Sequence, residues 1–313
     1  MNYTSIFTDL DDFRSYADGL QADTVYRQLH PSLRATAMEM EKVITKNVFN
    51  ALAAPAEAPA APEPAAAADP EPAAAAAEPA AAQEATAQTP DLAEGRELLK
   101  IALAAGTLYR YQIFSTVKKA GSDAALYKYQ HEELKATYIE NYWKAMDELL
   151  DWLDANKSVG GWESSTDYTD RQALPVRSAE EFHRYFGIER SSYFYAKALY
   201  LVRDVWAKIR PAVIGHTENE KVMEAAKKAL CYRVIAKVVM TWDLTEFPRS
   251  IRFDYNHEYS KGSSTADRDR LYHSLLSEAA SAEAEMDAIK RHSSGADAVG
   301  NTNEEHDKFY LSI

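Results

Sequence analysis

Cysteine occurs once in the 313 residues, at Cys231. A single thiol cannot build a disulfide framework or a cysteine-based zinc site within one chain. Cys231 lies between Leu230 and Tyr232 in a helical pattern, so it is expected to be a small core or half-buried residue. Glycine is scarce, with 11 residues against 19 tyrosines, a balance that suits helix packing better than a turn-rich β fold. No run approaches the ~18 apolar residues needed to span a bilayer. The opening Met-Asn-Tyr-Thr-Ser lacks the basic start and apolar stretch of a signal peptide. The chain is therefore expected to stay in the cytosol of the cell that makes it. There is also no Lys/Arg-rich block, and the formal net charge is −13. A surface this acidic repels nucleic acid and anionic membranes, so neither sequence-specific nucleic-acid binding nor a membrane partner is expected.

Motifs that carry chemistry are missing too. No Gly-rich phosphate loop, Gly-x-Ser-x-Gly elbow or dinucleotide fingerprint occurs. The eight histidines are scattered, without His-Glu-x-x-His or His-x-x-x-His spacing. His131-Glu132-Glu133 has no second histidine one turn away and reads as a solvated helix face. Asp254, His257 and Glu258 share a loop, with weak support for a metal. Asp9, Asp11 and Asp12 lack the glycine and distal glutamate of a calcium loop. They suit a helix N-terminus, where the macrodipole favours acid. Carboxylate pairs at helical spacing are common by chance in so acidic a chain, and none stands out as an acid–base pair. The expectation is a protein without catalytic, cofactor-binding or metal-ligating residues, and without enzymatic activity.

What is present begins with a compositional break. Residues 51–90 are almost wholly Ala, Pro and Glu, with prolines at 55, 59, 62, 64, 70, 72, 79 and 90. Each uninterrupted alanine run is shorter than the ~12 residues at which an isolated helix becomes marginal. With no bulky apolar residue beyond Leu52, the segment cannot offset its ordering entropy. It reads as a disordered spacer, either an expanded surface loop or a tether.

On both sides of the spacer the apolar period is helical. Helices are expected over 97–119 and 124–155, broken at Gly121-Ser122-Asp123. Along the second, Ile139, Tyr142, Met146, Leu149 and Leu153 fall on one side, and Glu140, Lys144, Asp147, Asp151 and Asp154 on the other. Residues 156–176 read as a loop. Ser178 and Glu181 before Phe182 form a capping box, and a short helix follows to about 186. Further helices are expected over 192–213, 219–242 and 265–291. In 192–213, Trp206 shares the phase of Val202, Ile209 and Val213 and is expected to anchor the core. Ile251, Phe253 and Tyr255 alternate with polar residues, which fits a short strand or hairpin near 249–260.

The chain also resembles itself. At an offset of 169, Asp12-Phe13-Arg14-Ser15-Tyr16 lies over Glu181-Phe182-His183-Arg184-Tyr185. Without a gap, Asp9 then falls on Ser178 and Asp23 on Ser192, each suited to an N-cap. Tyr26 falls on Tyr195, Leu33 on Val202, Arg34 on Arg203, Met40 on Ile209 and Ile44 on Val213. The fold class is therefore mostly all-α, with two related helical modules. Residues 1–50 plus 91–155 form the first, with the spacer 51–90 inserted. Residues 156–177 connect it to the second, 178–292, and 293–313 form a flexible tail.

Over residues 178–240 the pattern resembles the head–tail connector (adaptor) proteins of tailed phages and prophages. Ser178 to Arg190 gives a capped short helix and a turn. A longer helix follows, ending Ile209-Arg-Pro-Ala-Val-Ile-Gly215, then a second long helix and a turn at Glu246-Phe247-Pro248. The whole chain also resembles uncharacterised phage-associated proteins of Bacteroidetes. The duplication and the spacer depart from the single-module plan of known connectors.

The resemblance implies a structural virion protein, assembled in the host cytoplasm as a homo-oligomeric ring with portal and tail proteins as partners. The competing readings are a cytosolic helical interaction scaffold and a helical enzyme with a site between the modules. Aromatic residues in loops are favoured interface material, which nominates Trp162, Tyr168, Phe253, Tyr255, Tyr259, Phe309 and Tyr310. Trp162 can alternatively serve as a loop anchor.

Overall fold

The computed structural model describes residues 3, 6–17, 20, 24–54, 91–119, 124–243, 247 and 265–295, without the side chains of 113–136, 265–267 and 293–295. Within these residues the chain is 82% helical and has no strand. The α-helices are α1 (Leu10–Ser15), α2 (Tyr26–Ile44), α3 (Lys46–Ala53), α4 (Leu92–Lys119), α5 (Ala124–Ala155), α6 (Thr166–Gln172), α7 (Ala179–Tyr185), α8 (Ser192–Val213), α9 (Glu220–Thr241) and α10 (Thr265–Gly295). A 3-10 segment, Val159–Ser164, precedes α6.

Local chemistry sets most of these ends. Asp9 caps α1, its carboxylate accepting from the N–H groups of Asp11 and Asp12. Ser178, Ser191 and Asn219 cap α7, α8 and α9 in the same way. Each satisfies a first-turn donor that has no partner within the helix. Between α2 and α3 the chain turns sharply at Thr45, at φ 69°, and the Thr45 hydroxyl caps α3.

The self-similarity is borne out at the level of individual bonds. Tyr26 donates its hydroxyl to the carbonyl of Phe7 (3.4 Å), and Tyr195 does the same to Val176 (2.7 Å). The Phe13 and Tyr26 rings lie 6.5 Å apart, and Phe182 and Tyr195 lie 6.4 Å apart. Asp12 accepts from the Thr8 N–H (2.8 Å), as Glu181 accepts from the Arg177 N–H (2.9 Å). All these partners are 169 positions apart.

Beyond the spacer the offset falls to 127. Tyr16 donates to Glu97 (2.7 Å) and Tyr185 to Glu224 (2.6 Å). Lys100 pairs with Asp12 (3.2 Å) and Lys227 with Glu181 (2.9 Å). The buried triplet Ala102-Leu103-Ala104 of α4 corresponds to Ala229-Leu230-Cys231 of α9. The order α1, α2, α4, α5 is thus repeated as α7, α8, α9, α10. In each set the middle helix, α4 or α9, packs against the helix before it and the long helix after it.

The buried apolar residues of both sets form one continuous core. Leu29, Leu33, Met40 and Ile44 of α2 are as buried as their counterparts Ala198, Val202, Ile209 and Val213 of α8. Cys231 is fully buried there, and burial pushes its thiol pKa well above the ordinary value. It is a packing residue, as expected.

Several expectations need correction. Helix α3 runs three residues into the segment assigned to the spacer, because Leu52 is 1% exposed and belongs to the core. The 156–177 connection is not a plain loop: it carries the 3-10 segment and α6. Gly160 and Gly161 allow this by adopting φ of 54° and 74°. Gly160 also lies against the backbone of Val48, where a Cβ would sit 2.5 Å from Cα. Ser191, not Ser192, caps α8. Trp206 is half-buried rather than a core anchor. The buried stripe of α8 passes through Val202, Val205 and Ile209, and position 206 lies at its edge. The expected hairpin near 249–260 and nearly all of the 293–313 tail lie outside the described residues.

Candidate functional site at the junction of the two halves

The first turn of α8 enters the first half between α2 and α5. Tyr193 is 1% exposed. Its ring meets Trp143 edge-on at 4.9 Å and Tyr142 at 5.6 Å. Its hydroxyl donates to Glu39 of α2 (2.9 Å). Glu39 in turn pairs with Arg110 of α4, whose second nitrogen donates to Thr36 (3.0 Å). One polar chain therefore joins α2, α4 and α8 beneath an aromatic cover from α5. Charge-assisted bonds of this kind, each with a partner, hold helices in a defined register.

The backbone end of α8 is held by α5. Asp147 accepts from the Tyr193 N–H (2.7 Å) and the Ser191 hydroxyl (2.8 Å). One turn on, Asp151 accepts from the Ser192 hydroxyl (2.5 Å). The carboxylates stand where the positive end of the α8 dipole favours them. Burial nevertheless pushes the Asp147 carboxyl up to about 6, with the nearby charges of Asp151 and Glu189 adding to it. The two hydrogen bonds offset only part of this. Burial likewise raises the Tyr142 and Tyr193 phenols far above neutrality, so both stay protonated donors.

The connection 156–177 closes one side of the junction. Asp154, near the end of α5, accepts from the Trp162 indole N–H (2.8 Å) and pairs with Arg171. The Arg171 guanidinium lies 4.4 Å from the Tyr168 ring centroid. Asp170 pairs with Arg203 of α8. A cleft of about 370 Å³ remains between this connection and α8, with Asp151, Asp167, Glu180 and Arg190 among its polar lining. Chemically the arrangement clamps a helix end: Asp147 and Asp151 of α5 accept from the hydroxyls of Ser191 and Ser192 at the start of α8.

Of the nominated interface residues, Trp162 is 3% exposed and is therefore an intramolecular anchor, not a free surface aromatic. Its indole N–H has a carboxylate partner inside the chain, which explains its burial. Tyr168 is half-buried under Arg171. Trp162 and Tyr168 come together, with rings 6.2 Å apart. Phe253, Tyr255, Tyr259, Phe309 and Tyr310 lie outside the described residues, as do the side chain of His131 and the residues Asp254, His257 and Glu258. Asp9, Asp11 and Asp12 serve α1, as expected. Sequence reasoning missed Glu39, Asp147 and Tyr193. Asp147, Asp151 and Asp154 form the polar side of α5, and their i, i+4, i+7 spacing was the available signal that one turn-by-turn row of carboxylates faces a common partner.

Among the described residues no group of three or more His, Cys, Asp or Glu is placed to hold a metal. No described helix is long and apolar enough to cross a membrane. The chain belongs to a family of unknown function (DUF6712), which matches it over residues 76–172 and 201–291. No curated protein and no solved structure matches it.

Proposed function

We propose that the protein is a structural virion component, a head–tail connector that forms a ring between portal and tail. The observation that carries the reading is the element plan of residues 178–241. A capped seven-residue helix is followed by a long helix ending at Val213, and by a second long helix. These are the residues on which the connector resemblance rests. Two further features agree with it. A conduit for DNA must not grip its cargo, and a net charge of −13 disfavours phosphate adhesion. The bonds across the junction also tie the two halves together, which suits a part whose work is geometric.

On this reading the protein assembles in the host cytoplasm and remains in the virion, with portal and tail proteins as neighbours. The test is to mix purified protein with the portal protein of the same phage, image the product, and search purified virions by mass spectrometry. Ring-shaped complexes and presence in virions are expected. Absence of both would remove the connector reading in favour of a helical interaction scaffold.

A further inference from the structure

A groove of about 450 Å³ runs between α8 and α10 over α9. Val205, Ile209 and Met286 are buried within it, and Tyr272 and Leu276 are half-buried along its α10 side. One part of its rim is cationic. Lys208 and Lys237 share a single carboxylate, Asp204, so that cluster keeps a net positive charge. The acids of the groove are matched one to one, Glu283 by Arg233 (2.5 Å) and Asp287 by Lys290 (2.5 Å). In the first half, Tyr193 enters from outside that half and donates its hydroxyl to Glu39. Here Lys208 stands in the place of Glu39, and Lys237 in that of Arg110. A segment entering this groove must therefore bring an acceptor, best an acid, beside its apolar side chains.

We propose that residues 304–311 of the same chain occupy this groove. Phe309 and Tyr310 lie on its apolar floor, and Glu304, Glu305 and Asp307 beside Lys208 and Lys237. Three long segments lie outside the described residues, and their chemistry separates them. Residues 55–90 carry six acids but no aromatic residue. Residues 248–264 carry Phe253, Tyr255 and Tyr259, but three basic residues against two acids. Residues 296–313 combine four acids and one lysine with Phe309-Tyr310-Leu311. Of the three, the last alone matches both the charge and the apolar surface of the groove. Opposite charge of this kind guides a segment in and fixes its register.

Reach agrees with this occupant. Helix α10 ends at Gly295, and Lys290 near that end donates to the Ala212 carbonyl (3.1 Å) close to the end of α8. The chain after Gly295 thus starts near the Ala212 mouth of the groove. Phe309 follows Gly295 by 14 residues, a span of up to about 46 Å at ~3.3 Å per residue. Tyr272, the groove residue farthest from Gly295 along α10, lies about 35 Å away at a helical rise of ~1.5 Å per residue.

The proposal does not rest on the connector reading, because the isolated full-length protein decides it. Leu276→Cys places a thiol in the groove, while the native Cys231 is fully buried. Ser281→Cys, at an exposed position of α10 outside the groove lining, is the control. Circular dichroism and a cooperative melt establish folding; Ala212→Cys, at an exposed position on the groove, serves if Leu276→Cys does not fold. The readout is the rate of maleimide labelling. Adding Phe309→Ser and Tyr310→Ser should speed labelling in the groove at least about tenfold and leave Ser281→Cys unchanged. The slow rate of the intact tail should not depend on protein concentration. A groove thiol that labels equally fast with either tail overturns the proposal. Protection that grows with protein concentration overturns it too, since a second copy then supplies the cover.

Discussion

The two halves share one skeleton but fill it differently. In the first, α4 presents Gly95 and Gly106, and large α5 rings, Trp152 and Tyr142, pack against them. In the second, α9 has Val222 and Arg233 at those positions. There α9 and α10 pack together, each with small buried residues (Ala225 and Ala229, Ala279 and Ala282), and Arg233 pairs with Glu283 between them. Closing a helix pair needs matched volumes, and either large-against-glycine or small-against-small supplies them. What both halves keep is the polar frame: Tyr16–Glu97 and Tyr185–Glu224, Asp12–Lys100 and Glu181–Lys227. The difference teaches that this fold tolerates exchange of core volume more readily than loss of the bonds that fix α1 or α7 to the helix beneath.

The strongest way to break that comparison is to remove the equivalent rings Phe13 and Phe182, both 0% exposed. Phe13→Ala and Phe182→Ala should each cost about 3–5 kcal/mol. Because one core links both halves, each substitution should shift a single urea transition. Two separated transitions would show that the halves fold as independent units.

Trp206 marks a position where the halves differ. Its counterpart Ala37 is 0% exposed, while Trp206 is half-buried. Trp206→Ala should therefore cost about 2 kcal/mol, below a full core tryptophan. A loss as large as that of Phe182→Ala would mean that the indole lies deeper than described.

Helix order and most helix ends were legible in the sequence because caps and apolar periods are local signals. The 124–155 helix and the caps Asp9 and Ser178 follow directly from them. The repeat was legible for the same reason, as caps and core positions coincide at a single offset. The junction was not. Whether Asp147 faces water or the end of α8 depends on how two distant helices cross, and no period encodes a partner 44 residues away. Trp162 was ambiguous on similar grounds: only the fold shows that Asp154 stands within reach of its indole.

Asp147 gives a sharper test, since its bonds belong to the junction and not to the repeat. Its folded pKa of about 6 lies above the ordinary 3.8. A carboxyl raised on folding contributes stability that is full below its unfolded pKa and is lost as pH rises through the folded value. Asp147→Asn keeps an oxygen for the Tyr193 N–H and removes the buried charge. Relative to the parent, it should be about 1–2 kcal/mol more stable at pH 7.5 and equal near pH 4. Denaturation at both pH values measures this. A variant less stable at pH 7.5 would show that the dipole of α8 outweighs burial.

The smallest effect is expected where the halves differ most in length. Helix α2 reaches α4 only after α3 and the Ala/Pro segment, whereas Val213 of α8 is separated from Glu220 of α9 by a six-residue turn. The second half shows that the frame closes without an insertion. In the first, α3 packs on α4, and Leu52 lies against Gly95, so the chain leaves α3 close to where it enters α4. A short Gly/Ser linker therefore spans the gap, and residues 55–89 contain no bulky apolar side chain to lose. Replacing them should change stability by less than about 1 kcal/mol, with helical circular dichroism retained, because loop-closure entropy varies only slowly with length. A collapse to an aggregated chain would show that the segment packs on the core and that the first half needs more than its repeated helices.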